Sequence, residues 1–149
     1  FSGTATYRNT FRVPPEALAA GRAAYLDFGQ VAVIAHVRLN GEDVGILWKT
    51  PFRVEATPAL RAGENRLEVR VTNLWVNRMI GDEQLPEDSA RTPDGLLKSW
   101  PQWLLEGKPS PAGRHTFATY RVWKSDSPLQ ESGLLGPVKL YVTQRVVAK

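Results

Sequence analysis

Apolar and polar side chains alternate every second residue over most of this chain. Between Thr4 and Val13, Ala5, Tyr7, Phe11 and Val13 alternate with Thr6, Arg8, Thr10 and Arg12, the pattern of a strand with one buried face. Pro14-Pro15 ends it, because proline offers no N–H to continue a ladder. The stretch from Pro15 to Arg22, around Ala17, Leu18 and Ala19, predicts one helical turn that serves as a connector. Tyr25 to Gly29 then leads into Val31 to Leu39, where Val31, Val33, Ala35, Val37 and Leu39 share a face. Asn40-Gly41 follows at once and predicts a tight hairpin, since both central turn positions need positive φ. Its return strand is Val44 to Trp48.

A turn at Thr50-Pro51 precedes Phe52-Arg53-Val54, and Ala62-Gly63-Glu64-Asn65 feeds a strand over Arg66 to Thr72 with Leu67, Val69 and Val71 inward. From Gly81 to Gly113 the rhythm breaks. That stretch is rich in Pro, Asp, Glu and Ser, holds Trp100 and Trp103, and reads as one long loop of the kind that is functional or disordered. Alternation resumes over His115 to Trp123, and Pro137 to Val147 reads as a closing strand. Short strands with turns between them and no helix-length amphipathic segment predict an all-β, antiparallel sandwich or barrel and exclude a parallel α/β fold. No internal repeat is visible, and 149 residues suit one domain over 1–149.

Composition changes this picture little. With 42% hydrophobic and 23% charged residues the chain is an ordinary folding sequence. The net charge of +4 is spread along the strands without basic runs, which argues against nucleic acid as a partner and permits an acidic polysaccharide such as pectin. The absence of cysteine removes disulfides, thiolate nucleophiles and thiolate metal sites. No apolar run reaches the roughly 20 residues of a membrane span. The start at Phe1 without Met suggests a segment of a larger protein.

Ordered motifs along most of the chain carry a resemblance. Phe1-Ser2-Gly3-Thr4-Ala5-Thr6-Tyr7-Arg8 resembles the opening strand of the sugar-binding jelly-roll domains of glycoside hydrolase family 2 and of the family 106 α-L-rhamnosidases. Leu26-Asp27-Phe28-Gly29, Ile34-Ala35, Leu39-Asn40-Gly41, Gly45 and Trp48-Lys49-Thr50-Pro51-Phe52 look like the middle hairpins of such domains. Gly63-Glu64-Asn65, Val71-Thr72-Asn73-Leu74-Trp75, Asn77-Arg78-Met79-Ile80-Gly81-Asp82 and Ser132-Gly133-Leu134-Leu135-Gly136-Pro137-Val138 continue the match. The opening stretch and the last two together favour family 106. The resemblance implies an antiparallel jelly-roll β-sandwich of the galactose-binding type, a non-catalytic accessory to a large bacterial enzyme that is secreted, periplasmic or at the cell surface. It also implies two partners, a polysaccharide or oligosaccharide and the catalytic domain of the same parent chain.

Sugar recognition needs aromatic faces beside groups that hydrogen-bond hydroxyls. The candidates are Trp48, Trp100 and Trp103 as platforms and Asn77, Arg78, Asp82 and Glu83 as polar contacts, with Asn73 and Gln84 beside them. Each has a structural alternative. Trp100 and Trp103 would equally pin the loop, and Arg78 would pair with Asp82. Trp75, in phase with Leu67, Val69 and Val71, reads as core, Trp123 as core or sheet cover, and Tyr7, Tyr25 and Tyr120 as structural strand residues. No cofactor is required. A structural Ca²⁺ at Asp82, Glu83, Glu87 and Asp88 is the one metal the oxygen ligands suggest, without EF-hand spacing. Asp82 with Glu83 or Glu87 could be cast as a glycosidase-like acid pair, and nothing marks these residues apart from solvated loop acids. His36 and His115 have no nucleophile context, and Gly133 to Gly136 reads as a turn.

Overall fold

The computed structural model describes residues 1–144, so Arg145 to Val147 of the expected closing strand lie outside the described residues. These residues form two compact units, Thr4–Asn73 with the chain from Glu131 onward, and Phe1–Gly3 with Leu74–Gln130.

The first unit is the all-β, antiparallel one. Its strands are β1 (Thr4–Val13), β2 (Arg22–Asp27), β3 (Gln30–Ala32), β4 (Ile34–Leu39), β5 (Glu42–Leu47), β6 (Arg53–Glu55), β7 (Gly63–Thr72), β8 (Gly133–Gly136) and β9 (Lys139–Gln144). They build a four-stranded sheet in the order β1-β7-β4-β5, a three-stranded sheet β6-β2-β9 and a two-stranded sheet β3-β8. Every strand pair is antiparallel. A single 3-10 turn, Pro15–Leu18, occupies the expected connector. The Asn40-Gly41 hairpin turn has φ of 54° and 87°, as its residue types require.

Alternation becomes a core. Leu67, Val69 and Val71 of β7, Ala35, Val37 and Leu39 of β4 and Val13 of β1 are buried and pack with Leu26, Phe28, Phe52 and Ala56 from around the second sheet. Asn65, fully buried, is the polar exception. Its Oδ1 accepts from Asn40 Nδ2 (2.8 Å) and the Arg61 N–H (2.9 Å), and its Nδ2 donates to the Arg61 (2.7 Å) and Gly63 (3.1 Å) carbonyls. All four hydrogen-bonding positions of the side chain are thereby used. Gly133 to Gly136, expected as a turn, is strand β8, because Leu134 and Gly133 pair with Val31 and Ala32. A Tyr7 hydroxyl in this unit accepts from the Leu134 N–H at 3.2 Å.

The second unit has little regular structure: α1 (Val76–Asp82), α2 (Gln102–Leu105) and isolated bridges at Arg91–Leu97 and Leu96–Tyr120. His115 to Trp123 forms no strand, contrary to the alternation. Tyr120 makes an isolated bridge with Leu96, too short to found a ladder, and the remaining backbone groups bond to side chains and loops. The His115 and Thr116 N–H groups go to Asp82 Oδ2, the Ala118 carbonyl takes Arg91 Nη2 (2.6 Å), and the Thr119 carbonyl takes the Leu97 N–H (2.9 Å). The segment expected as one long loop likewise contains α2 and is tied down by side chains.

Candidate functional site

Arginines organise the second unit. Arg114 donates to the Leu85 (2.9 Å) and Pro86 (2.8 Å) carbonyls and pairs with Glu83 at 3.0 Å. Arg121 pairs with Glu83 at 2.9 Å and with both carboxylate oxygens of Glu87. Arg91 donates to Gly95 and Ala118 and lies over the Phe117 ring. Guanidinium groups present several donors in a fixed plane, so each ties together two or more acceptors, backbone carbonyls for Arg91, carboxylates for Arg121 and both for Arg114. The hydrogen bonds from Arg121 hold Glu87 below its ordinary pKa.

Asp82, at the end of α1, is the buried acid of this network. Its Oδ2 accepts from the Thr116 N–H (2.7 Å), Thr116 Oγ1 (2.8 Å) and the His115 N–H (2.9 Å), and its Oδ1 lies 2.9 Å from Arg78 Nη2. Burial pushes the carboxyl pKa up; the bonds from Thr116 and His115 and the Arg78 charge outweigh that, and the net shift is downward. Asn77, one helical position before Arg78, exchanges two hydrogen bonds with the Gln130 backbone, at 2.7 and 2.8 Å. Asn77, Asp82 and Glu83 are therefore committed to internal partners. Among the described residues no group of three acidic or histidine side chains is placed to hold a metal.

Trp75 is 69% exposed, which corrects its expected place in the core. The period of two stops at Thr72, where β7 ends. Trp75 adopts helical backbone angles (φ −72°, ψ −14°), and its carbonyl accepts the Arg78 and Met79 N–H groups at the start of α1. The strand phase no longer applies there, and the ring turns outward. Trp75, Arg78 and His115 line a cavity of about 500 Å³ with Ser2, Thr116 and Phe117. Arg78 is fixed by Asp82 while its side chain stays about one-third exposed.

Phe117 connects this cavity to the tryptophans of the predicted loop. Trp103 meets it edge-on (5.8 Å, 84°), and Trp100 lies tilted against it (5.9 Å, 33°). Trp103 is half-buried and donates its indole N–H to the Asp88 carbonyl at 2.9 Å, whereas Trp100 is exposed. Trp123 is half-buried, and Tyr120 is exposed outside any strand. Trp48 belongs to the sandwich unit, exposed just beyond β5 with Lys49 Nζ 5.2 Å from its ring centre. The sequence reading did not single out Arg91, Arg114 and Arg121 as organisers or Trp75 as a surface residue. The arginines had a visible signal, since Glu83, Glu87 and Asp88 lie in the same stretch and call for cations.

Residues 2–109 match the family described as glycosyl hydrolase 2 galactose-binding domain-like. A curated relative from Formosa agariphila, named "Putative beta-glucuronidase", is 51% identical over 142 residues, which is 95% of this chain and 12% of that protein. Among solved structures, a rhamnosidase from Novosphingobium sp. PP1Y is 37% identical with a TM-score of 0.71, covering 96% of this chain and 11% of the other. A β-glucuronidase from Bifidobacterium dentium, complexed with coumarin-3-O-glucuronide, is 29% identical with a TM-score of 0.58 over 95% of this chain and 21% of its own. The chain thus spans between about a tenth and a fifth of the length of these relatives.

Proposed function

The chain belongs to the glycosyl hydrolase 2 galactose-binding domain-like family, and from that membership we propose that it is a non-catalytic module of a larger glycoside hydrolase that contacts carbohydrate at the Trp75 cavity. The observation that carries this is an exposed indole beside a fixed, partly exposed arginine in one concavity. A pyranose stacks its C–H face on such a ring while Arg78 and His115 reach its hydroxyls. The exposed Trp100 and Trp48 offer further apolar faces on their own units. A role without catalysis fits the acids. A glycosidase general acid requires a raised pKa, whereas Asp82 and Glu87 are lowered and engaged by arginines. A polysaccharide ligand would place the parent protein outside the cytoplasm.

A second reading, a scaffold packed on the catalytic domain of the parent chain, is favoured by one observation: Leu105, Val122 and Leu129 of the same unit are exposed. Affinity measurements on the full parent protein with neutral and rhamnose-containing oligosaccharides separate the two. Trp75→Ala should weaken binding about tenfold, or about 1.4 kcal/mol, with the fold intact. Binding that Trp75→Ala leaves unchanged favours the scaffold.

A further inference from the structure

The register of the four-stranded sheet gathers arginines on its outer face. Arg8 on β1 and Arg38 on β4 both stand opposite Glu68 on β7, and Arg66 stands opposite Thr10. The inward neighbours Leu67, Val37 and Leu39 are buried, so these arginines point to solvent. A concavity of about 550 Å³ lies here, lined by Arg8, Arg38 and Arg66 with Asn9, Thr10 and Glu68. A second of about 490 Å³ adjoins it, sharing Gly41 and Arg66 and adding Arg61.

The guanidiniums are positioned by partners yet stay largely open to solvent. Arg8 gives only its Nε to Glu68 (2.8 Å) and is 72% exposed, which leaves its terminal N–H groups facing out. Arg38 is steadied by a bond from Nη2 to the Gly41 carbonyl (2.7 Å). Arg66 lies 3.7 Å from Glu64 and is 80% exposed. Within the first concavity three guanidiniums face one carboxylate.

We propose that this trough binds an acidic polysaccharide, a chain of uronate sugars whose carboxylates pair with Arg8, Arg38 and Arg66. Planar guanidinium matches carboxylate in a two-bond fork, and a row of such groups suits a polymer with regularly repeated anions. No lining residue of either concavity is aromatic, so nucleobases find nothing to stack on. This inference is independent of the Trp75 reading, because the two sites share no residue.

The test is affinity electrophoresis of the full parent protein through gels containing polygalacturonate, with dextran as the neutral control and oligouridylate as a competitor. The wild type should be retarded by polygalacturonate alone, and less so at higher salt. The double variant Arg8→Gln/Arg66→Gln should lose at least about tenfold in affinity, since each guanidinium contributes a charge-assisted pair. Arg8→Lys/Arg66→Lys, which keeps charge without the fork, should fall between. Both arginines are exposed, and matching thermal melts would verify that the variants fold. No retardation, retardation unaffected by the Gln variant, or competition by oligouridylate at equal strength would each overturn the proposal.

Discussion

Removing the Asp82 carboxylate should loosen the whole Arg-organised unit, because one buried group serves both α1 and the His115–Thr116 backbone. Asp82→Ala leaves two backbone N–H groups and the Thr116 hydroxyl without their acceptor and deprives Arg78 of its partner. A hydrogen bond to a charged group contributes about 1.5–3 kcal/mol, and breaking a buried charge pair costs about 3–5 kcal/mol. The contributions overlap, water reaches part of the vacated site, and Arg78 is partly solvated already. A loss of about 3–5 kcal/mol follows, less than the sum of the separate bonds. Asp82→Asn keeps an oxygen acceptor and should lose about half as much. Hydrogen exchange is the suitable assay, since it reads local opening residue by residue. The His115 and Thr116 amides should exchange at least about a hundredfold faster in Asp82→Ala, while Val69 and Val71 in β7 keep their protection. A change below about 1 kcal/mol at His115 and Thr116 would refute the assignment of Asp82 as the clamp.

Three further outcomes follow from the same physics. Asn65→Ala removes a fully buried amide with four hydrogen bonds and should lower stability in urea unfolding by about 2–4 kcal/mol. Gly29→Ala should destabilise far more than Gly41→Ala by the same assay. Both have positive φ, but a Cβ at Gly29 would lie 2.6 Å from the Gly136 carbonyl carbon while one at Gly41 meets open space, where the cost is about 1 kcal/mol. Acid should destabilise the protein. Asp82 and Glu87 have ordinary values of 3.8 and 4.5 and lowered folded values, so their contribution is complete above those values and is lost as pH falls through the folded ones. Urea midpoints should therefore stay level down to about pH 5 and drop below about pH 4.

The sandwich was legible in the sequence because a half-buried strand has to alternate, and β4 and β7 do so along their lengths. Asn40-Gly41 likewise announced its hairpin through a conformational demand that few residue pairs meet. The second unit was not legible by that route. Its order comes from arginines bonding to carbonyls and carboxylates distant in sequence, as Arg114 does to Leu85 and Arg121 to Glu87, and such pairings leave no periodic trace. His115 to Trp123 even shows the alternation of a strand, yet its pairing stops at an isolated bridge with Leu96. Trp75 was misplaced for a related reason, since the phase of β7 was carried past the residue where the strand ends. The arginine face of the sheet was half visible. The polar positions of β1 include Arg8 and Arg12, but only the register brings Arg38 and Arg66 beside them.

The central claim, that the Trp75 cavity contacts carbohydrate, is tested most directly by the indole N–H signals of the five tryptophans in heteronuclear NMR spectra. Titration with a bound oligosaccharide should shift the Trp75 signal progressively and leave that of Trp103, whose N–H is held by the Asp88 carbonyl, in place. Binding that moves other tryptophans and leaves Trp75 still would contradict the account.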